Sequence, residues 1–188
     1  MIVRLLELLY FMAPAYLANM APPFARDWPG WNRPIHERLF GSHKTVVGAA
    51  LGIAAGVLAA AAQAAIDAPF GLVDYAHWPL LGMGFGAGAM AGDCLKSLFK
   101  RRLRIAPGAP WIPFDQLDFP VGALALVGPW AGLSWLDVML ILAVTFVGDL
   151  AVNASLSGSG SRTARGDPGA GAVDAAPIVI GDCIRCRL

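Results

Sequence analysis

The densest group of chemically active side chains lies at residues 92–119 (GDCLKSLFKRRLRIAPGAPWIPFDQLDF). If this stretch begins as a helix, one broad face carries a carboxylate, a hydroxyl and two cations: Asp93, Ser97, Lys100 and Arg101. Two further carboxylates, Asp115 and Asp118, follow three residues apart. Hard oxygen ligands beside fixed cations are what a Mg²⁺-bound polyphosphate requires. The pattern therefore predicts a phosphate-handling site, in which the cations stabilise charge on a departing pyrophosphate.

Several of these residues also have an ordinary structural explanation. Cations at the inner membrane surface anchor a helix and attract anionic lipid, and we favour that explanation for Arg102 and Arg104. Asp118 directly precedes an apolar segment and so fits an N-terminal helix cap. Asp93 is harder to explain structurally, because a charge in an apolar helix costs about 2.5–3.5 kcal/mol at mid-bilayer and less near the interface.

A second patch, GSHKTVVG at residues 41–48, places Lys44 and Thr45 at a predicted helix start. Free backbone amides at a helix N-terminus favour anions, although the patch lacks the glycine spacing of a P-loop. His36 and His43 have no Cys/His pattern around them, so we expect no zinc site.

The elements that must position these residues are membrane helices. The 188 residues are 57% hydrophobic and only 14% charged, whereas soluble domains carry about a quarter charged residues. The long apolar runs fit a bilayer and predict an all-α polytopic membrane protein with about five transmembrane helices. We place them at residues 2–20, 45–66, 78–99, 119–133 and 136–152, and we expect Pro14 to kink or end the first. The first lacks a clean cleavage site and is expected to be retained.

The basic residues predict the orientation. They concentrate in residues 21–44, 96–104 and the C-terminal tail, and the linkers 67–77 and 129–135 contain none. With five spans, thirteen of the fourteen lie on one side, Arg4 being the exception. The positive-inside rule then places the N-terminus outside the cell membrane, and the site and the C-terminus in the cytoplasm.

Two glycine-rich features complete the organisation. Gly84, Gly88 and Gly92 recur every four residues, and we favour close helix packing over close approach to a ligand as the explanation. From residue 157 the chain is rich in Gly, Ser, Ala and Pro, which predicts a transmembrane domain at 1–155 and a disordered tail at 156–188. The tail holds a lone CxxC pair, Cys183 and Cys186, for which we do not favour a metal or redox role.

Four motifs in order along the chain carry a family resemblance: PAYLANMAP, GSHKTVVG, GDCLKSLFKRR and FDQLDF. Over residues 1–155 the sequence resembles the CDP-archaeol synthases, membrane cytidylyltransferases distantly related to CDP-diacylglycerol synthases. The resemblance implies a five-helix membrane fold open to the cytoplasm. It also implies a reaction in which CTP and a lipid phosphate give a CDP-lipid and pyrophosphate, with Mg²⁺ as cofactor. The family's lipid is 2,3-bis-O-geranylgeranyl-glycerol 1-phosphate.

The resemblance also implies roles for particular residues. Mg²⁺ would be held by three carboxylates, which with Lys100 form the catalytic set: Asp93, Asp115 and Asp118. Nucleotide or lipid phosphate would be contacted by five side chains: Lys44, Thr45, Ser97, Lys100 and Arg101. Asn19, in the first motif, would line the cavity. No covalent nucleophile is needed, because the lipid phosphate oxygen attacks the α-phosphorus of CTP directly.

The chain departs from the family pattern near its end. Asp149 and Asn153 stand where the family has a His-x3-Asn element, and the Gly/Ser-rich tail replaces the family's closing segment. The choice between an isoprenyl ether lipid and a diacyl lipid therefore stays open.

Two other functions fit the sequence less well. A CDP-alcohol phosphotransferase is disfavoured because its longer aspartate signature is absent. A transporter or non-catalytic membrane protein would use Asp93 and Asp149 as intramembrane relay groups, but its polar groups should follow a path through mid-membrane rather than collect at one interface. We expect no nucleic-acid partner.

Overall fold

The computed structural model describes residues 2–25, 33–41, 44–66, 68–69, 71–105, 109 and 111–163, and side chains to residue 152 apart from that of residue 38. The helices, in chain order, are α1 (Ile2–Met20), α2 (Glu37–Phe40), α3 (Val46–Ile66), α4 (Trp78–Arg102), α5 (Phe114–Ala131) and α6 (Trp135–Thr163). Two short 3₁₀ turns lie at Pro22–Ala25 and Tyr75–His77.

The all-α membrane fold with five long helices is confirmed. Three segments are long and apolar enough, by length and composition, to cross a bilayer: Ile2–Ala25, Val46–Ile66 and Trp135–Val152. The other two long helices, α4 and α5, are rich in glycine or carry the charged motifs, and they make the most extensive helix–helix contact in the described bundle.

The bounds of four helices differ from the sequence prediction, and the differences at α4 and α5 affect the candidate site. Helix α4 continues to Arg102, and α5 begins at Phe114 rather than at residue 119. The prolines around FDQLDF look like loop residues in the sequence. Pro113, however, occupies the N-cap position, and Pro120 is accommodated inside α5. Consequently both aspartates of this motif are helical residues with fixed directions.

Helix α4 uses glycine on two faces to bring main chains into contact. A Cβ at Gly86 would lie 2.7 Å from Ile53 Cα of α3, and one at Gly88 would lie 2.6 Å from Gly122 O of α5. At Gly92, one turn further along, a Cβ would lie 2.1 Å from the carbonyl oxygen of Asp118. The packing role predicted for Gly84, Gly88 and Gly92 is confirmed by main-chain contacts at Gly88 and Gly92, and it fixes the start of α5 against α4.

Helix α1 shows how a buried glutamine compensates for a proline. Pro14 has no N–H, so the carbonyl of Tyr10 loses its helical donor, yet α1 continues to Met20. The side-chain amide of Gln63, in α3, donates a hydrogen bond to that carbonyl. Gln63 is only 4% exposed, and this hydrogen bond gives it a structural function in the core.

Helices α1 and α6 run in the same direction. Near their N-termini Arg4 pairs with Asp137, and further along the Tyr16 hydroxyl hydrogen-bonds to Thr145 at 2.7 Å. Parallel first and last helices are what an odd number of membrane crossings requires.

Asp137 ties these helices together at the end where α1 and α6 begin. Its carboxylate accepts hydrogen bonds from Arg4 Nε at 2.9 Å and Nη2 at 2.7 Å, and from the Ser134 hydroxyl at 2.8 Å. We expect Asp137→Ala to lower the Tm of the purified protein in detergent by about 4–8 °C, as for loss of roughly 2 kcal/mol. Leu136→Ala is the control, since this neighbour is 78% exposed. Equal Tm values for the two variants would contradict a stabilising role for the Arg4–Asp137 pair.

The chain divides into two compact units, Met1–Ala151 and Val152–Leu188. The first contains the bundle core. In the second, the backbone of α6 is helical to Thr163, past the predicted boundary at residue 155. The rest of the predicted tail, including Cys183 and Cys186, lies outside the described residues.

Candidate active site

Three helix ends meet at one end of the bundle. Helix α4 ends there, whereas α3 and α5 begin there, so motifs far apart in sequence are brought together. The charged side chains of this cluster are Lys44, Asp93, Lys96, Lys100, Asp115 and Asp118.

A chain of ion pairs links the three helices. Lys44, just before α3, pairs with Asp93 of α4. Lys96 Nζ lies 3.1 Å from Asp93 Oδ1 and 2.7 Å from Asp118 Oδ2, and therefore bridges two carboxylates on different helices. The Asp118 side chain is only 5% exposed. A buried charge must be paired to be tolerated, and Lys96 provides that pairing for Asp118 inside the bundle.

A second ion pair closes the loop between α4 and α5. Lys100 Nζ lies 2.7 Å from Asp115 Oδ1 and donates a hydrogen bond to the carbonyl of Ala109 at 2.8 Å. Asp115 Oδ2 in turn accepts a hydrogen bond from Trp111 N at 2.7 Å. Lys100 and Asp115 thus hold the loop end in place beside the Asp93–Asp118 pair.

Both predicted hydroxyl residues satisfy local helix hydrogen bonds. Thr45 Oγ1 accepts a hydrogen bond from Gly48 N at 3.1 Å and so caps α3. Ser97 Oγ donates to the carbonyl of Asp93 at 3.0 Å, one turn earlier in α4. Capping by Thr45 sets the start of α3 and places the preceding Lys44 against Asp93.

Arg101 faces a different neighbour from Lys100. Gly41, with φ of +93°, lies so close that a Cβ there would be 2.6 Å from Arg101 Nη2. Within the described part of the chain, the guanidinium is paired with no carboxylate. The lysines of the cluster are neutralised by aspartates, so Arg101 is the predicted phosphate contact that can meet an anion without first giving up a carboxylate.

Two structural explanations from the sequence have different outcomes. The cap explanation for Asp118 is wrong, because this residue lies in the second turn of α5, well after the N-cap position at Pro113. Arg102 and Arg104 are exposed, and their anchoring role stays a prediction.

Two histidines, His36 and His43, lie in the basic segment before α3. His36 caps α2, its Nδ1 accepting a hydrogen bond from Leu39 N at 3.3 Å, and His43 lies outside the described residues.

Sequence reasoning missed Lys96 and Gln116. Lys96 is three residues after Asp93, a helical spacing that could have identified it as a partner. Gln116 lies between the two aspartates of α5 and is only 7% exposed. Its Oε1 has no hydrogen-bond partner among the described residues. Leaving a buried acceptor unpaired costs about 1–3 kcal/mol, so Gln116 needs an explanation beyond packing.

The predicted magnesium ligands are only partly gathered. Among the described residues, no three Asp, Glu, His or Cys side chains are grouped as one metal ion would require. Asp93 and Asp118, however, share the Lys96 ammonium, so a positive charge already lies between two hard oxygen ligands. This pair fits Mg²⁺. Asp115 is held separately on Lys100, and the three-aspartate set stays a prediction.

Comparison with known proteins identifies the family of this chain. The sequence model for CarS-like CDP-archaeol synthases matches residues 1–156. The chain belongs to the CDP-archaeol synthase family. Its relatives include the CDP-archaeol synthase of Pyrococcus furiosus, 31% identical over 156 residues, which cover 75% of this chain and 86% of the relative. The CDP-archaeol synthase of Halobacterium salinarum is 41% identical over 150 residues, covering 71% and 80%.

One solved structure is similar to this chain in both sequence and fold. It is described as an intramembrane enzyme for archaeal membrane lipid biosynthesis, and it superposes with a TM-score of 0.68 at 31% identity. The match covers 80% of this chain and 94% of that one. CDP-archaeol synthase family membership therefore covers the bundle and the whole candidate site, and the multi-pass membrane fold is shared.

Proposed function

We propose that this chain transfers CMP from CTP to a membrane lipid phosphate, giving a CDP-lipid such as CDP-archaeol. A lipid phosphate oxygen attacks the α-phosphorus of CTP, and the bond to the β-phosphate breaks to release pyrophosphate. The observation that carries the proposal is the Lys44–Asp93–Lys96–Asp118 chain of ion pairs where three helix ends meet. Such alternating charges suit a substrate that arrives as polyphosphate with a metal ion.

The ion pairs describe the free enzyme, and substrate would replace them. The lysines would turn to phosphate oxygens, which offer the same kind of acceptor as the carboxylates they leave. Asp93 and Asp118 would then hold Mg²⁺, which when bound neutralises phosphate charge and aligns the reacting oxygens. Lys96 is well placed for this exchange because it reaches both aspartates.

Lys100 and Arg101 would bind the phosphate groups at the ends of the polyphosphate. Lys100 forms an ion pair with Asp115 and donates a hydrogen bond to the Ala109 carbonyl, so its ammonium is held in a defined position at the loop. Arg101, beside Gly41, would offer a planar fork that matches a phosphate group. Fixed cations of this kind stabilise charge on the departing pyrophosphate.

The site end of the bundle would face the cytoplasm, where CTP is available. The described basic residues of the loops before α3 and after α4 lie at this end. The positive-inside rule assigns such an end to the cytoplasm and the N-terminus to the outside.

Incorporation of labelled CTP into lipid by the purified protein tests the proposal. A di-isoprenyl glycerol phosphate ether and a diacyl phosphatidic acid are offered in parallel, each with Mg²⁺ and with a chelator. We expect lipid-linked CMP and an equal amount of pyrophosphate, in the presence of Mg²⁺ only, and the preferred lipid defines the substrate class. No product from either lipid, with protein shown to be folded, would contradict the proposal.

A further inference from the structure

Gln116 lies between the two site aspartates of α5, and its side-chain oxygen has no hydrogen-bond partner among the described residues. It lies in the first turn of α5, is 7% exposed, and its Oε1 is enclosed with no hydrogen-bond partner among the described residues. Its main-chain carbonyl also lacks the usual helical donor, because residue 120 is proline. Gln63, the buried glutamine of α3, also has an Oε1 without a hydrogen-bond partner among the described residues, but its Nε2 donates to the Tyr10 carbonyl. Among the described residues, no hydrogen bond gives the Gln116 side chain a comparable structural function.

Neighbouring contacts show which part of the site Gln116 occupies. Phe119, three residues later in α5, packs edge-on against Tyr16 of α1 with ring centroids 5.8 Å apart. Asn19 follows Tyr16 by three residues, as Gln116 precedes Phe119 by three. Since α1 ends and α5 begins at the site, both carboxamide residues lie about one turn nearer the site than the aromatic pair. Asn19 and Gln116 are thus at a similar depth, on adjacent helices, beside the charged cluster.

The chemistry of a carboxamide selects among the parts of the substrates. Oε1 is an acceptor and needs a donor, which CTP offers at its cytosine amino group and its ribose hydroxyls, whereas phosphate, pyrophosphate and ether lipid oxygens are acceptors. The cytosine base presents an amino donor at C4 next to an acceptor at N3. A glutamine amide matches that edge, because Oε1 can accept from the amino group while Nε2 donates to N3.

We propose that Gln116 binds the cytosine base of CTP and determines nucleotide specificity, with Asn19 lining the same pocket. The inference rests on the proposed function and adds that different residues bind the phosphates and the base of CTP. The lysines and Arg101 bind phosphate, which every nucleotide triphosphate has, and Gln116 recognises the base.

The test pairs a residue change with the removal of one group from the nucleotide. Equilibrium binding of CTP and of its analogue lacking the 4-amino group (the pyrimidin-2-one riboside triphosphate) is measured for the purified wild type and for Gln116→Leu. We expect the wild type to bind CTP about tenfold more tightly than the analogue, and Gln116→Leu to bind both with the analogue's affinity. Should the leucine variant not fold, Gln116→Met removes the same amide from an unbranched side chain of similar length.

Gln63→Leu is the matched control, since it removes an equally buried glutamine amide at the other end of the bundle. It is expected to lower the Tm and to keep the wild-type preference for CTP. If Gln116→Leu keeps that preference, or weakens CTP and the analogue equally, the amide does not read the 4-amino group and the inference is overturned. Either result alongside CDP-lipid formation by the wild type leaves the proposed function standing, whereas a wild type that forms no CDP-lipid contradicts the proposed function itself.

Discussion

Replacing Asp118 with asparagine is expected to reduce CMP transfer from CTP by about a hundred- to a thousandfold, the effect typical of losing one charge-stabilising group from an active site. Asparagine keeps the shape of the side chain and removes its negative charge. Asp118 is 5% exposed and lies 2.7 Å from Lys96, so the change leaves that ammonium with Asp93 as its remaining carboxylate partner in the described structure. It also replaces one of the two carboxylates that fit Mg²⁺ with a neutral amide.

The measurement is the rate of labelled CDP-lipid formation at saturating CTP and lipid, with the Tm recorded for each variant. Asp74→Asn makes the same isosteric change at the opposite end of the bundle, where Asp74 Oδ1 accepts a hydrogen bond from Ala76 N that asparagine can also accept. We expect this control to retain wild-type activity. An Asp118→Asn variant within threefold of the wild type would show that the Asp93–Lys96–Asp118 group is only structural.

The helices were predictable because a long, continuous apolar segment can satisfy its own backbone hydrogen bonds in a bilayer by forming a helix. The bounds predicted for α1 agree with the structure, since Pro14 is compensated within the bundle. The start of α5 was not predictable in the same way, because Pro113, Pro120 and two aspartates suggest a loop when read locally. Contact of Gly92 with the main chain of Asp118 supplies the tertiary packing that overrides this local preference.

The site was predictable in its residue types and less so in its pairing. The face shared by Asp93 and Lys100 follows from helical spacing, and α4 does continue through both. The pairing of Lys44 with Asp93, 49 residues apart, depends on how α3 packs against α4, and no local pattern records it. Lys96 bridges Asp93 to Asp118 for the same reason, because its second partner belongs to another helix. Which cation serves which carboxylate is therefore a property of the packing.

That packing leads to the second large expected effect, at Gly122 of α5. A Cβ there would lie 2.2 Å from the carbonyl oxygen of Gly88 and 2.9 Å from Gly92 Cα. Both obstacles are main-chain atoms, so no side chain can rotate away, and Gly122→Ala must push α4 and α5 apart. We expect a Tm loss of roughly 2–12 °C in detergent, since overpacking of a close contact costs about 1–3 kcal/mol.

Gly128→Ala is the matched control on the same helix. A Cβ at Gly128 meets no atom within 4 Å, so alanine adds helix propensity without a clash and should leave the Tm unchanged or raise it slightly. Similar Tm values for the two variants would contradict the packing argument.

Asp93 and Asp118 lie on the two helices that Gly122→Ala separates, and Lys96 spans them at 3.1 and 2.7 Å. We therefore also expect this variant, assayed well below its Tm, to form CDP-lipid more slowly than Gly128→Ala, because the distance between the helices sets the distance between the carboxylates.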